Sequence, residues 1–321
     1  MIEIDAILDL IGRNHSFLVA SHAHPDGDAI ASTLGLTCFL DQIGKKVVAF
    51  NVDGIPDELA FLPGAAQLVS DPGKLGTFDV CFVLDSGNLS RAGEVLRSHC
   101  AKLVNIDHHP YSDPFGCVNY VDEQACATGA LVYRIVERSG QSISKDLALC
   151  LYTAILSDTG SFRYSNANPE AFRIASSLVQ AGVSPWHVAG NLYESRPIAQ
   201  IKLLSSALET LTISPCGRFG AVFVTADMMS AAGAGPEDTD GLINYPRSIR
   251  GVEVALFFRQ EGSGVFKVSF RSKGKVDVGS LARELGGGGH HNAAGATVSG
   301  EMGQVRQHVL KRLNELLPFA E

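Results

Sequence analysis

Phe17-Leu18-Val19-Ala20-Ser21-His22-Ala23-His24-Pro25-Asp26-Gly27-Asp28 reads as a short apolar strand that ends in a loop crowded with imidazole and carboxylate. The amphipathic run 29–43 that follows reads as a helix. His22, Asp26 and Asp28 packed into a strand-to-helix loop would be hard to hold together unless a cation sits among them. The plainer reading makes Asp28 a helix N-cap and Pro25-Asp26-Gly27 a turn. Both stand at this point.

The same alternation continues outward. Residues 46–50, 78–84 and 103–106 are further β-rich runs separated by helical patterns. Apolar strands separated by helices predict an α/β fold with a mainly parallel sheet flanked by helices. Such sheets bind ligands beyond the carboxyl ends of their strands. From Gln124 the pattern changes to helices in series, at 125–138, 144–156, 169–181 and 185–194, with Gly140 and Gly182 where C-caps belong. A connecting helix is expected over 196–211, from Ile198, Ile201, Leu204, Leu208 and Leu211 at helical spacing.

Beyond it, β runs at 220–225, 252–259 and 265–271 return, the last two joined as a hairpin through Glu261-Gly262-Ser263-Gly264. Helices at 278–285 and 302–317 complete a smaller α+β domain, with Gly286-Gly287-Gly288-Gly289 as a loop ending the first. The expected division is 1–195, a connector 196–212, and 213–321.

Composition narrows the class. The 321 residues are 45% hydrophobic and 19% charged, which excludes a disordered chain. Lys+Arg 26 against Asp+Glu 34 leaves a net charge of −8, a poor footprint for gripping long nucleic acid. Seven cysteines without a C-x-x-C pair predict a reducing, cytoplasmic setting. The acidic start Met1-Ile2-Glu3-Ile4-Asp5 predicts no export signal, and the longest apolar stretch, 147–156, is about half a membrane span.

Three more elements carry chemistry. Asp85 ends the strand 78–84, and Asp107 ends the next one and runs into His108-His109-Pro110. Asp158 closes an apolar helix, where the dipole disfavours a carboxylate unless a cation compensates. His22, Asp26, Asp28, Asp85, His108 and Asp158 together offer four carboxylates and two imidazoles, whose charge two divalent cations would neutralise. Mixed oxygen and nitrogen donors favour Mn2+ over thiolate-bound Zn2+.

The tetraglycine followed by His290 reads either as a flexible loop or as bare backbone that approaches an anion. Arg271, ahead of Ser272-Lys273, could hold a terminal phosphate. Phe162-Arg163-Tyr164 could stack a base or simply pack, and Trp186 and His187 read as structural.

These motifs resemble the DHH phosphoesterases, on His22-Ala23-His24-Pro25-Asp26-Gly27-Asp28, Asp85, Asp107-His108-His109 and Asp158. Gly286 to Gly289 with His290-His291-Asn292-Ala293-Ala294-Gly295 resembles the signature of the DHHA1 domain. The resemblance implies that His22 and Asp26 hold one Mn2+, Asp28, His108 and Asp158 another, and Asp85 bridges them. It further implies that His109 faces the scissile phosphate, that Asp107 orients a metal-bound imidazole, and that Arg271, Gly288, Gly289 and His290 contact substrate.

The two-domain organisation is similar to the nanoRNase type of the family. That type hydrolyses short RNA such as pApA to mononucleotides and dephosphorylates 3′-phosphoadenosine 5′-phosphate (pAp). The expected partners are short RNA or a small nucleotide, with no long DNA track and no membrane, and a homodimer is left open. A cyclic di-AMP or pApA phosphodiesterase is the runner-up reading, and a nucleotide-binding regulator without catalysis the third.

Overall fold

The computed structural model describes residues 2–316, which form two compact units divided between Ser195 and Arg196. The first unit begins with α1 (Ile2–Arg13), β1 (Ser16–Ser21), α2 (Gly27–Gln42), β2 (Lys46–Phe50) and β3 (Phe78–Leu84). Two single-turn helices, α3 (Leu89–Ala92) and α4 (Leu96–His99), lead to β4 (Cys100–Asp107) and β5 (Val118–Val121). Four helices follow: α5 (Thr128–Ser139), α6 (Lys145–Asp158), α7 (Pro169–Gln180) and α8 (Pro185–Tyr193). All five strands run parallel in the order β2-β1-β3-β4-β5.

Alternation along β1 explains why both faces are covered. Phe17 and Val19 enter a core shared with α1, α2, α5 and α6, whereas Leu18 and Ala20 pack on the other face with Phe50, Leu89 and Leu96. The strand order places the topological switch between β1 and β3, the position at which such sheets open a crevice. Register then aligns the strand ends: Ser21 pairs with Leu84 and Leu84 with Ile106. The next residues, His22, Asp85 and Asp107, therefore occupy one level at the carboxyl edge.

The second unit runs α9 (Ile198–Glu209), β6 (Thr212–Ile213), β7 (Phe219–Val224), α10 (Ala226–Ala232) and α11 (Asn244–Ser248). It continues with β8 (Val254–Gly262), β9 (Val265–Ser272), α12 (Val278–Glu284), β10 (Gly288–His290), β11 (Ala293–Ser299) and α13 (Met302–Leu316). Its mixed sheet has the order β10-β11-β9-β8-β7-β6, with β7 and β8 parallel and the other neighbours antiparallel. One face packs Leu256, Phe258, Val268 and Phe270 against α12 and α13. The opposite face packs Val222, Ala255 and Phe257 with Leu203 and Ala207 of α9, so the expected connector is part of this unit's core.

Several expectations change. The tetraglycine is not a loop throughout, because Gly288 and Gly289 begin β10, which pairs with β11. The helix expected from Ala125 begins at Thr128, and the cap of α7 is Ala181 with Gly182 following it. Trp186 is 77% exposed, whereas His187 packs edge-on against Phe61 with ring centroids 5.6 Å apart. Leu317, the expected end of α13, lies outside the described residues. Among the described residues no helix is long and apolar enough to cross a membrane.

Candidate metal centre

The loop after β1 is held by backbone chemistry before any ion is considered. Asp26 caps α2 by accepting the Ala29 N–H at 3.0 Å, so Asp26, and not Asp28, is the N-cap. Asn51, fully buried past the end of β2, donates to the His22 carbonyl at 2.9 Å and to Ser21 Oγ at 3.0 Å, tethering the loop from the next strand. Gly27 is needed for close approach, since a Cβ there would stand 2.2 Å from Ser157 Oγ. That contact brings the end of α6, and with it Asp158, to the loop.

The side chains converge in three overlapping groups that could each hold a metal ion: His22, Asp26 and Asp85; Asp28, His108 and Asp158; and Asp85, His108 and His109, with the donor atoms in each within 4.8 Å of one another. The first two share no residue, and Asp85 faces both. Its Oδ2 lies 3.6 Å from His22 Nε2 and its Oδ1 lies 3.5 Å from His108 Nε2. The backbone of Asp85 is left-handed, with φ of 56°, a conformation that Asp tolerates better than most residues.

Both imidazoles are oriented for donation. His22 Nδ1 bonds the Ala23 carbonyl at 2.9 Å, and His108 Nδ1 bonds the Ala125 carbonyl at 3.2 Å. A carbonyl acceptor requires Nδ1–H, which leaves Nε2 of each ring facing the carboxylates, as the atom that would ligate a cation.

Electrostatics point the same way. Burial, reinforced by Asp28 and Asp26, pushes the Asp85 carboxyl well above its ordinary range. Burial also raises Asp28, and burial followed by the charge of Asp28 brings Asp158 to about 7. Burial opposes protonation of His108, but Asp28, Asp85 and Asp158 outweigh it and raise its pKa. Several carboxyls thus resist joint ionisation for want of positive charge. Divalent cations fit this oxygen and nitrogen set and would supply that charge.

Asp107 meets His109, a member of the third of these groups, and not His108. It bonds His109 Nδ1 at 2.9 Å and accepts the Gly87 N–H at 2.9 Å, whereas His108 is oriented by a backbone carbonyl. Burial alone would raise Asp107, yet bonds from His109 and Ser112 and the His109 charge bring it down to about 2. The Asp107 bond in turn raises His109 to about 9, against burial. His109 is therefore a cation at neutral pH, 3.4 Å from Asp85 Oδ1.

Two helpers escaped the sequence reading. Asn166 Nδ2 donates to Asp158 Oδ2 at 2.9 Å and to the Cys126 carbonyl at 2.9 Å. Thr128 bonds both Asp28 and Asp85. Nothing in their local sequence marks either one. Phe162 stacks on Phe172 with centroids 5.0 Å apart, and Arg163 Nε donates to the Gly160 carbonyl, while Arg163 and Tyr164 remain exposed.

In the second unit, sheet register gathers the remaining candidates. Arg271 pairs with Ala293, and Ala293 with His290; Ser269 pairs with Gly295, and Gly295 with Gly288. Paired residues share a face, so Arg271 and His290 flank small residues on the side opposite Val268 and Phe270. Arg259 and Lys267 join Arg271 around a depression of about 120 Å³ there, with Asp240 at its lining. The alternation of Lys267, Ser269 and Arg271 with apolar residues was the signal that could have found Lys267. Gly289 is different from Gly288: its φ is 139° and a Cβ would stand 2.5 Å from Ala294 Cα, so its bareness serves the packing of β10 on β11.

Comparison with known proteins agrees with both units. Residues 16–155 match the DHH family, N-terminal domain, and residues 221–318 match the DHHA1 domain. The chain is 36% identical over 303 residues to the bifunctional oligoribonuclease and PAP phosphatase NrnA of Thermus thermophilus, covering 94% of this chain and 90% of that one. It is 29% identical to the protein of the same name in Bacillus subtilis, over 91% of this chain and 92% of that one. The crystal structure of an exopolyphosphatase-related protein from Bacteroides fragilis superposes with a TM-score of 0.92 at 29% identity, covering 99% and 98% of the two chains. With a relative of this identity aligned over nearly its whole length, and with both domain matches falling on the two units described above, the chain belongs to the DHH family and carries a C-terminal DHHA1 domain.

Proposed function

We propose that the protein is a metal-dependent phosphoesterase that hydrolyses short oligoribonucleotides to mononucleotides and removes the 3′ phosphate of pAp. The observation that carries this reading is the division of Asp85, one oxygen toward His22 and the other toward His108, between two groups of donors. The names of the 36% and 29% identical relatives support the substrate class.

In this reading His22 and Asp26 hold one Mn2+, Asp28, His108 and Asp158 hold the other, and Asp85 is shared. When bound, the cations supply Lewis acidity, lower the pKa of a water toward neutrality and offset charge at the scissile phosphate. His109, kept cationic by Asp107, donates to a phosphate oxygen. We assign phosphate recognition in the second unit to Arg271, His290 and the bare backbone at Gly288, with Gly289 shaping the strand that presents them. A net charge of −8 leaves little counterion-release attraction for a long strand, which favours substrates a few residues long.

The test is one panel: purified protein with Mn2+ on pApA, five-residue RNA, twenty-residue RNA, pAp, cyclic di-AMP and pyrophosphate. Highest kcat/KM on short RNA, with pAp hydrolysed, is the expected outcome. A clear preference for cyclic di-AMP selects the runner-up activity, and no turnover on any member returns the chain to a binding role.

A further inference from the structure

We propose that Thr128 is a positioning residue that fixes the two donor groups relative to each other and thereby sets how tightly the second cation is held. The inference rests on the metal reading of the cluster and concerns a residue that would not itself touch an ion.

Thr128 is fully buried at the first position of α5. Its Oγ1 donates to Asp85 Oδ1 at 3.0 Å, and its backbone N–H donates to Asp28 Oδ2 at 2.6 Å. Gly129 N–H adds a bond to Asp28 Oδ1 at 3.0 Å. The N-cap of α5, Ala127, has no side chain able to cap, so Asp28, a hundred residues earlier, fills that role from α2. One residue thus bonds a carboxylate shared by both groups and a carboxylate from the second group alone.

The hydroxyl matters for direction. It meets the Asp85 oxygen that faces His108 and leaves the oxygen facing His22 untouched. Being neutral, it orients the carboxylate without cancelling the charge a cation needs. A β-branched side chain holds that hydroxyl in few rotamers. The Asp85 backbone is tied to β4 by its N–H, which donates to the Ile106 carbonyl at 3.0 Å, so the hydroxyl acts on the orientation of the carboxylate and not on the chain that carries it.

Thr128→Val removes the hydroxyl and keeps both the volume and the backbone N–H. Thr128→Ala removes it with no risk of overpacking, and Thr128→Ser keeps it. Calorimetric titration with Mn2+, together with electron paramagnetic resonance of the loaded protein, reads the outcome. In Val and Ala, one of two Mn2+ should bind about 10- to 100-fold more weakly. The other should change little, and the signature of a coupled ion pair should give way to that of an isolated ion. Ser should behave as wild type. On short RNA, kcat should fall in Val and Ala with KM little changed. Wild-type affinity for both ions in Val and Ala, or a Ser variant as impaired as Val, would overturn the role of the hydroxyl while leaving the metal reading intact. A wild-type protein that binds no Mn2+ would overturn the metal reading and this inference with it.

Discussion

Asp107 and His109 form a hydrogen-bonded ion pair at 2.9 Å, in which burial of the carboxylate is outweighed by its bonds. The pair couples a strand end to a side chain that stands beside Asp85, and so sets the charge that His109 presents. Asp107→Asn should keep the bond to Gly87 N–H through its amide oxygen and lose the charge. The His109 pKa, about 9 in the intact pair, should then move toward the ordinary imidazole value of 6.5. Nuclear magnetic resonance titration of the metal-free protein reads this directly. If His109 serves as a cationic donor, kcat near pH 7.5 should drop by about a hundredfold; an unchanged kcat with a shifted pKa would remove His109 from the chemistry.

Metal removal should invert the pH dependence of stability. Asp158 has a folded pKa of about 7 against an ordinary 3.8, so the folded state binds its proton more tightly. That contribution is full below about 3.8 and is lost as pH rises through 7. Asp28 and Asp85 are displaced in the same direction. His109 follows at higher pH, its contribution present below 6.5 and lost through about 9. The melting temperature of chelator-treated protein should therefore fall steadily between pH 5 and pH 9. Saturating Mn2+ should stabilise more at pH 8 than at pH 5, because ligands must be ionised to bind it. Scanning fluorimetry at four pH values suffices, and a flat or rising metal-free curve would count against the cluster's burial.

Asp85→Asn isolates the shared charge. Asn tolerates the left-handed backbone that Asp85 adopts and can still accept the Thr128 hydroxyl, so the fold should survive. Turnover should fall by roughly a thousandfold or more, because both cations lose one anionic ligand. Near-wild-type turnover with two bound Mn2+ would refute the shared role.

Arg271→Ala tests phosphate recognition by the second unit. Loss of a charge-assisted phosphate bond costs about 1.5 to 3 kcal/mol, roughly ten- to a hundredfold in KM. Metal content should not move. A lost Mn2+ would mean that Arg271 acts on the metal centre and that recognition has been assigned to the wrong unit.

What was legible in the sequence follows from where the physics is local. The strand ends and their acids could be read because apolar runs stop abruptly at His22, Asp85 and Asp107, and a parallel sheet aligns such ends. Asn168-Pro169 and Ser184-Pro185 mark helix starts by capping and fixed φ, and α7 and α8 begin there. β5 was missed because Val118-Asn119-Tyr120-Val121 is four residues without a sustained period. The partner of Asp107 could not be read either. His108 and His109 are adjacent, and only the fold shows that one ring meets a backbone carbonyl while the other meets the carboxylate. Thr128 and Asn166 act through bonds to residues far away in sequence, which no local pattern encodes.

The tetraglycine offers a test in which neighbouring glycines answer differently. Gly289 adopts a φ of 139° and a Cβ there would stand 2.5 Å from Ala294 Cα and 2.6 Å from the Ala293 carbonyl oxygen. Gly289→Ala must strain the backbone and push β10 off β11, at a cost of about 2 kcal/mol or more. A fall in melting temperature of about 5 °C or more should follow. Gly288 lies outside the left-handed region, a methyl group added there would meet nothing within 4 Å, and it shares the face on which Arg271 and His290 stand. Gly288→Ala should leave the melting temperature within about 1 °C. If a phosphate approaches that bare backbone, the added methyl should raise KM for short RNA about tenfold by holding the anion away from it. Equal loss of stability in both variants would make the run a packing device alone. A stable Gly288→Ala protein with unchanged KM would place substrate recognition elsewhere on the sheet, at Arg259 and Lys267.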